Sequence, residues 1–293
     1  LTWGFEESDF PFDVAPATNE GADAEPQIDK AEELRQKWGV QSGMMFGLGE
    51  HRIICGDCTD RAVVERVMGG EKAELLFTSP PYADMREYSG NDLSLETLVR
   101  IFPVWRESVR YFAVNLGIKR KEYEIISYWD IYITEAKSTG LKLLSWNVWD
   151  KGMAGSIANQ SAMFSIIHEW VFVFGDEPKV LNRIYPNDTE ANQKRRKYDP
   201  VDARGKKQRQ VRQADGTTKL SNRGETFDYK QMGTVHPITP ELAGNTDHPA
   251  LFPVLLPSEY IESMTNKGDV IAEPFSGGGT TLIACENLSR KCR

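Results

Sequence analysis

The chain has 293 residues, of which 40% are hydrophobic, 10% aromatic and 27% charged, with a formal net charge of −8 at pH 7. This balance is typical of a folded globular protein and excludes a collagen-like repeat, a coiled coil and a wholly disordered chain. No apolar run approaches the roughly 20 residues of a membrane-spanning helix, and the acidic N-terminus lacks the basic and then apolar pattern of a secretory signal. We therefore expect a cytoplasmic protein.

Residues 1–43 hold ten acidic and three basic residues together with three prolines. Little apolar periodicity is present before residues 31–34, where a short helix is predicted. The segment is therefore predicted to be an acidic linker or tail.

A strand–helix–strand unit is predicted directly after this segment. Arg52–Gly56 is a short apolar run, Arg61–Met68 places apolar residues on one side of a helix, and Ala73–Thr78 is a second apolar run. Three such elements within about thirty residues are typical of a βαβ unit.

The rest of the chain continues to alternate helices and strands. The predicted helices are Leu93–Ala113, Ile125–Ser138, Pro253–Thr265 and Thr280–Leu288, and the predicted strands are Leu141–Trp149, His168–Phe174 and Asp269–Ala272. This alternation predicts an α/β fold, with a mostly parallel sheet and helices on both faces.

Residues 176–247 interrupt this alternation with a polar segment that we expect to be an insertion or a small subdomain. Eleven Lys or Arg and only three Asp lie between Lys194 and Arg223, a net charge of +8, so the remaining residues carry −16. Such asymmetry favours a polyanion partner for this segment, although a solvated basic loop has the same composition.

A glycine-rich turn, Glu273-Pro-Phe-Ser-Gly-Gly-Gly-Thr-Thr281, joins a predicted strand to a predicted helix. Glycines at such a turn let backbone amides approach a ligand at the helix N-terminus, although a purely structural turn remains open. The segment lacks the GxxxxGK[ST] and GxGxxG patterns of phosphate and dinucleotide loops. Glu273 would repel a phosphate but attract a cationic amino-acid group.

A second loop, Thr78-Ser-Pro-Pro-Tyr82, follows the strand that ends at Thr78. Consecutive prolines stiffen the backbone, and the carboxyl edge of a parallel sheet is where ligands bind in such folds. Without further context, the same residues could form an ordinary rigid turn with an exposed aromatic side chain.

The four cysteines, Cys55, Cys58, Cys285 and Cys292, are too few for a disulfide framework. Cys55 and Cys58 form one CxxC pair, but the other two are spaced differently and lie far along the chain. Ordinary thiols are therefore favoured over a zinc site, and no metal is expected.

Together, these loops make the sequence resemble the amino-methylating DNA methyltransferases. Ser79-Pro80-Pro81-Tyr82 matches the family's catalytic tetrapeptide [DNS]-P-P-[YFW], and the Glu273–Thr281 turn resembles its cofactor loop. Gly56-Asp57, His168–Phe174 and His248-Pro249 resemble three further family segments. The catalytic loop precedes the cofactor loop, the order of the permuted beta class.

The resemblance implies a Rossmann-like fold with a circularly permuted motif order, S-adenosylmethionine as cofactor and double-stranded DNA as substrate. It implies catalytic roles for Ser79, Pro80, Pro81 and Tyr82. It implies cofactor contacts from Asp57, Thr78, His248, Glu273, Pro274, Phe275, Ser276, Gly277, Gly279 and Thr280. DNA contacts are expected, from the basic charge, at Lys194, Arg195, Arg196, Lys197, Lys206, Lys207, Arg209 and Arg212.

The sequence also departs from the family pattern. Glu273 replaces the commoner Asp, and the chain stops at Arg293, before the acid that binds the cofactor ribose is expected, so an incomplete cofactor site is predicted. Serine at the first catalytic position favours cytosine N4 over adenine N6 as the methylated atom. The domain bounds expected from these segments are 1–43 (acidic tail), 44–175 (catalytic part), 176–247 (basic insertion for target recognition) and 248–293 (cofactor part).

Two other functions remain open at this level. An inactive nucleic-acid-binding module could keep the fold, and related Pro-Pro-Tyr loops also serve methyltransferases acting on RNA or on a protein glutamine. The sequence leaves open the oligomeric state and whether a restriction nuclease or an upstream domain accompanies the chain.

Overall fold

The computed structural model describes residues 31–81, 94–122, 124–152, 164–186, 203–205, 208–213, 216–222, 229–240 and 252–293. The helices are α1 Ala31–Trp38, α2 Arg61–Met68, α3 Leu95–Leu98, α4 Ile101–Trp105, α5 Trp129–Ser138, α6 Leu255–Met264 and α7 Thr280–Asn287. The strands are β1 Met45–Leu48, β2 His51–Ile54, β3 Ala73–Thr78, β4 Val109–Leu116, β5 Lys119–Lys121, β6 Glu124–Ile126, β7 Lys142–Asp150, β8 His168–Gly175, β9 Arg183–Pro186, β10 Gln208–Arg212, β11 Thr218–Asn222, β12 Tyr229–Gln231, β13 Val235–Pro237, β14 Val270–Ala272 and β15 Lys291–Cys292.

A seven-stranded sheet with the strand order β13-β7-β8-β4-β3-β14-β15 forms the centre of the fold. Neighbouring strands are parallel except at β8, which runs antiparallel to both β4 and β7. The carboxyl ends of β3, β4, β7 and β14 therefore lie at one edge of the sheet. This is the mostly parallel α/β architecture that the sequence predicts.

Hydrophobic cores cover both faces of this sheet because successive side chains of each strand point in opposite directions. Leu76 and Phe112 face the core formed with α2, α4 and α5. Leu75 and Phe77 face the core formed with α6 and α7, where Tyr260 and Ile261 are fully buried. The strands read as continuous apolar runs because both faces are covered.

Helix α2 has exactly the predicted bounds, and its local sequence explains why. The Asp60 side chain accepts a hydrogen bond from the amide of Ala62 and caps the start of the helix. Gly69 ends it in the left-handed conformation, with φ of 56°.

The prediction of one long helix over Leu93–Ala113 is wrong. Two short helices, α3 and α4, end at Trp105, and the chain then enters the central strand β4. Six of the eight residues from Val109 to Leu116 are apolar, the exceptions being Arg110 and Asn115, so the pattern does not separate a buried helix from a strand covered on both faces. The segment forms a strand because it pairs with β3 on one side and with β8 on the other.

The predicted βαβ unit is wrong, because β2 pairs with β1 in a separate two-stranded sheet and β3 belongs to the central sheet. Several other short strands were not predicted from the sequence. The hairpins β1–β2 and β5–β6 are separate two-stranded sheets, and the helix expected from Ile125 begins only at Trp129. Within residues 176–247, β9 pairs with β12, β10 pairs with β11, and β13 joins the central sheet beside β7. The domain bounds themselves stay predictions.

Over the described ranges, every helix is too short or too polar to cross a membrane.

Candidate active site at the carboxyl edge of the sheet

The two loops singled out in the sequence meet at the carboxyl ends of the adjacent strands β3 and β14. Ile271 and Ala272 of β14 pair with Leu75 and Leu76 of β3. Beyond this pairing, the Thr78 hydroxyl donates a hydrogen bond of 2.5 Å to Oε1 of Glu273. The residue before Ser79 is thus bonded to the first residue of the glycine-rich turn, 195 positions later in the chain.

Glu273 is the buried acceptor at the centre of this junction, with 8% of its surface exposed. Its carboxylate also accepts a hydrogen bond from the Thr281 hydroxyl at 2.7 Å and one from the Phe275 amide at 2.9 Å. These bonds favour the ionised form, but burial outweighs them and raises the pKa of Glu273 to about 7. The carboxyl group is thus poised to ionise when a cation approaches.

The turn after Glu273 has the backbone conformation that its glycines permit. Gly277 and Gly279 have φ angles of 50° and 79°, in the left-handed region that favours glycine. A Cβ added at Gly279 would meet no atom within 4 Å, so the space in front of it is open. Gly279 caps the start of α7, whose first amides are available to an anionic group.

A cavity of about 150 Å³ lies between this turn and the loop after β2. Gly56 and Cys58 line one side, and Glu273, Pro274 and Ser276 line the other. The rest of the wall is formed by apolar side chains, which include Ile54, Val63, Val64 and Trp105, and by the two arginines Arg52 and Arg293. The cavity therefore joins an apolar surface to a carboxylate and to the start of a helix.

The loop after β2 is held in place by local hydrogen bonds. Asp57 is exposed, and its Oδ1 accepts hydrogen bonds from the amide and the hydroxyl of Thr59, at 2.8 and 2.7 Å. The indole of Trp105 in α4 donates to the Cys58 carbonyl at 2.9 Å. Burial, followed by the charge of Asp57, raises the pKa of the Cys58 thiol to about 12, so this thiol stays neutral at pH 7.

The structure places most of the predicted loop residues at this edge, and some lie outside the described residues. Ser79 and Pro81 are half-buried, while Thr78 and Pro80 are buried. Pro274, Phe275 and Ser276 are half-buried, and Thr280 is buried in the first turn of α7. The predicted residues outside the described ranges are Tyr82, Lys194, Arg195, Arg196, Lys197, Lys206, Lys207 and His248. Arg209 and Arg212 belong to the backbone of β10, but their side chains are not described.

Two residues that shape the site were not predicted from the sequence. Thr281 binds Glu273 directly, and its position eight residues after Glu273 in the same motif could have indicated it. Trp105 lines the cavity wall, but it comes from a segment whose structure was predicted wrongly. Within the described ranges, no group of three or more His, Cys, Asp or Glu side chains could hold a metal ion.

The chain is similar in sequence to a family of DNA methylases. Residues 73–292 match the model of the family described as DNA methylase, which is named for methylation at N6 and N4. The orphan methyltransferase M.BamHII of Bacillus amyloliquefaciens is 27% identical over 249 residues, 80% of this chain and 83% of that protein. The type II methyltransferase M.BamHI of the same organism is 24% identical over 252 residues, which cover 80% of this chain and 52% of M.BamHI.

A solved structure has the same fold. The crystal structure of the M1.HpyAVI–SAM complex superposes with a TM-score of 0.50 at 15% identity, covering 80% of this chain and 87% of M1.HpyAVI. The predicted fold class is thereby confirmed.

The family model covers most of the chain, including both the strand that carries Ser79 and the glycine-rich turn. The predictions of an amino-methylating enzyme and of its methyl donor are confirmed. The chain belongs to the DNA methylase family, whose members are S-adenosylmethionine-dependent DNA methyltransferases.

Proposed function

We propose that this chain methylates the exocyclic amino group of a base flipped out of double-stranded DNA, with cytosine N4 favoured over adenine N6. The observation that carries the proposal is the junction between the two loops at the carboxyl edge of the sheet. The Thr78–Glu273 hydrogen bond joins the residue before Ser79 to the carboxyl group that lines the cavity. A base and a methyl donor bound there would lie side by side.

The residues around the cavity have the chemistry that S-adenosylmethionine requires. Glu273 offers a buried negative charge for the amino-acid ammonium, and the first amides of α7 offer donors for its carboxylate. The Gly56–Cys58 loop and the apolar side chains of Ile54 and Val63 offer a surface for the adenine ring. When bound, this cofactor supplies a methyl group on a positively charged sulfur, which an amine nitrogen can attack directly.

Ser79 and Pro80 are proposed to activate the target amine. The lone pair of the exocyclic nitrogen is delocalised into the base, so the amine is a poor nucleophile. The Ser79 hydroxyl oxygen and the Pro80 carbonyl oxygen can each accept one of its N–H groups, which favours a pyramidal nitrogen with an aimed lone pair. The rate acceleration comes from holding the amine nitrogen in line with the methyl group. The methylated amine is cationic at first and loses its proton readily to solvent, so a strong base is not required.

Tyr82 is proposed to stack on the flipped base, and Pro81 to stiffen the loop that carries it. Extrusion of a base from the duplex costs a few kcal/mol. Stacking on an aromatic ring is worth about 1–3 kcal/mol per base, so Tyr82 could offset much of that cost. The basic residues Lys194, Arg195, Arg196, Lys197, Lys206, Lys207, Arg209 and Arg212 are proposed to bind the DNA backbone and the target site.

The test is a methylation map. The purified chain is incubated with S-adenosylmethionine and duplex DNA of diverse sequence, and N4-methylcytosine and N6-methyladenine are located by sequencing. We expect one methylated base at a short recognition sequence, with N4-methylcytosine as the product. N6-methyladenine alone would overturn the choice of base. DNA left unmethylated while S-adenosylmethionine still binds, or methyl transfer only to RNA or protein, would overturn the proposed function.

A further inference from the structure

A cluster of three buried polar side chains lies at the same edge of the sheet as Ser79, and the proposed chemistry does not use it. It consists of Asn115 at the end of β4, Glu169 at the start of β8 and Lys151 after β7, which we call the polar row. These side chains are 1%, 8% and 6% exposed. Lys151 Nζ donates to Glu169 Oε1 at 2.9 Å, so the row contains an almost fully buried ion pair.

The strand register places the polar row on one face of the sheet. Asn115 pairs with Val171, and Glu169 pairs with Trp149. Val171 and Trp149 belong to the core on the α6 and α7 side. Residues paired across a sheet share a face, so Asn115 and Glu169 point to this side as well.

The same register brings one end of the polar row, Asn115, next to Ser79. Thr78 pairs with Val114, so Ser79 and Asn115 are the next residues along two neighbouring strands, which lie about 5 Å apart. Phe77, two residues before Ser79, faces the α6 and α7 core. The polar row therefore begins next to Ser79 and crosses β4 and β8 at the edge of the sheet. It borders the apolar core residues of the same face, which include Ala113, Val171 and Trp149.

Stability alone does not explain these groups. A buried ion pair is often no more stabilising than apolar side chains of the same volume, because both charges lose their hydration. The Asn115 amide donates to the Trp170 carbonyl at 3.0 Å, but its buried Oδ1 has no hydrogen-bond partner within the described part of the chain. An unpartnered buried acceptor at the same sheet edge as a buried ion pair is typical of a site that a polar ligand completes.

We propose that Lys151 recognises the target base. Its ammonium donates a hydrogen bond to the ring nitrogen next to the amino-bearing carbon of the base. Glu169 is the positioning residue that holds this ammonium in place. Cytosine and adenine carry an unprotonated nitrogen at that position, whereas thymine and guanine carry an N–H that an ammonium would reject. An ammonium has three donors, and Glu169 leaves others for the base. This inference rests on the proposed function and adds how an amino base is selected.

The test combines a base analogue with an apolar replacement of the ion pair. Two duplexes carry the recognition sequence from the methylation map, one with the normal target base and one with the analogue in which that ring nitrogen is a C–H group (3-deazacytosine or 1-deazaadenine). The variant is Lys151→Met with Glu169→Leu, which removes both charges of the ion pair together. The matched control is Lys179→Met with Glu74→Leu, because these two residues form another ion pair, near the opposite edge of the sheet. Thermal unfolding and S-adenosylmethionine binding report whether each variant is folded.

We expect the wild type and the control variant to lose about 10- to 100-fold in kcat/KM on the analogue, the range for a hydrogen bond from a charged donor. The Lys151→Met/Glu169→Leu variant should show a similar loss on the normal base, and its own loss between the two duplexes should be about 10- to 100-fold smaller than that of the wild type. The analogue also alters the amine itself, but that change affects every variant equally and cancels when the loss of the variant is divided by the loss of the wild type.

A folded variant that discriminates between the duplexes as the wild type does would overturn the inference and leave the proposed function intact. A wild-type chain that methylates no DNA would overturn both. If the double variant does not fold, Glu169→Gln is measured instead, because it keeps the size of the side chain and an acceptor. It should lose part of the discrimination, and full discrimination would overturn the positioning role.

Discussion

At the scale of single residues, the site depends on carboxyl and hydroxyl groups whose properties come from burial. Glu273 receives three hydrogen bonds, yet its pKa rises to about 7 because it is removed from water. An isolated sequence motif shows that an acid is present but not that its ionisation is suppressed. Two predictions follow from this carboxyl group and one from Ser79.

Glu273→Gln should weaken S-adenosylmethionine binding and remove most of its pH dependence. A cation beside Glu273 favours the ionised form, so binding to the wild type releases a proton below the pKa of about 7. Wild-type affinity should therefore rise with pH up to about 7 and level off above it. Titration calorimetry across this range would check both enzymes, and parallel pH profiles would show that Glu273 does not face the bound cation.

The same carboxyl group should lower the stability of the ligand-free protein as the pH rises. Its folded pKa of about 7 exceeds the ordinary value of 4.5, so the folded state binds this proton more tightly. The stabilisation is fully present below pH 4.5 and is lost as the pH rises through about 7. Relative to Glu273→Gln, the free energy of unfolding of the wild type should fall by up to about 3 kcal/mol across this window. Denaturant unfolding at several pH values measures it, and a constant difference would contradict the assignment.

Ser79→Ala should lower kcat while leaving the affinity for S-adenosylmethionine unchanged. Its hydroxyl is proposed to contact only the target amine, and loss of that hydrogen bond should cost about 10- to 100-fold in kcat. Tyr82→Ala should also lower kcat without changing the affinity for S-adenosylmethionine, because it removes the ring that is proposed to stack on the target base. Single-turnover methylation on the mapped duplex separates chemistry from binding, and wild-type turnover in either variant would disprove its role.

At the scale of elements, the sequence predicted those whose local signals agree with their tertiary environment. Helix α2 has its Asp60 cap, its apolar side and its Gly69 end, and its bounds were predicted exactly. Strand β4 has no local signal of this kind, because six of its eight residues are apolar and all but Arg110 are buried. Its identity comes from pairing with β3 and β8, which lie far away in the chain.

The same reason explains which parts of the site could be predicted. Ser79 and Glu273 stand in short motifs that can be recognised without knowing what surrounds them. Lys151 and Glu169 are 18 positions apart, and only the antiparallel register of β7 and β8 brings them together. Their burial, which gives them chemical significance, is a property of the whole sheet.

Gly175, at the end of β8, offers a test of the packing between strands. A Cβ at this position would lie 2.6 Å from a ring carbon of Tyr111 and 2.9 Å from Leu144. Gly175→Ala should therefore destabilise the protein by about 1–3 kcal/mol, the usual cost of overpacking. Gly233→Ala is the matched control, because its Cβ would meet nothing within 4 Å and its φ is not positive. Equal unfolding free energies for the two variants would mean that β8 does not pack against Tyr111 as described.

At the scale of the whole molecule, charge is distributed so that an acidic protein can bind a polyanion at one place. The net charge is −8, yet the segment from Lys194 to Arg223 carries +8 and the remainder −16. This segment lies between the Ser79 loop and the glycine-rich turn in the chain. The acidic remainder of the chain would repel DNA and the basic segment would attract it. These two forces would orient the duplex before any base is recognised.

Replacing Lys194, Arg195, Arg196 and Lys197 by Ala should therefore weaken DNA binding and leave S-adenosylmethionine binding unchanged. Each phosphate contact that is lost should reduce the slope of log affinity against log salt concentration by about 0.9, because fewer counterions are released on binding. The matched control replaces four exposed lysines near the opposite edge of the sheet, Lys72, Lys137, Lys142 and Lys267, with the same change in net charge. Fluorescence anisotropy over a range of salt concentrations measures both variants. If the slope flattens equally in both, net charge alone drives binding; if it flattens only in the first, this segment contacts the phosphates.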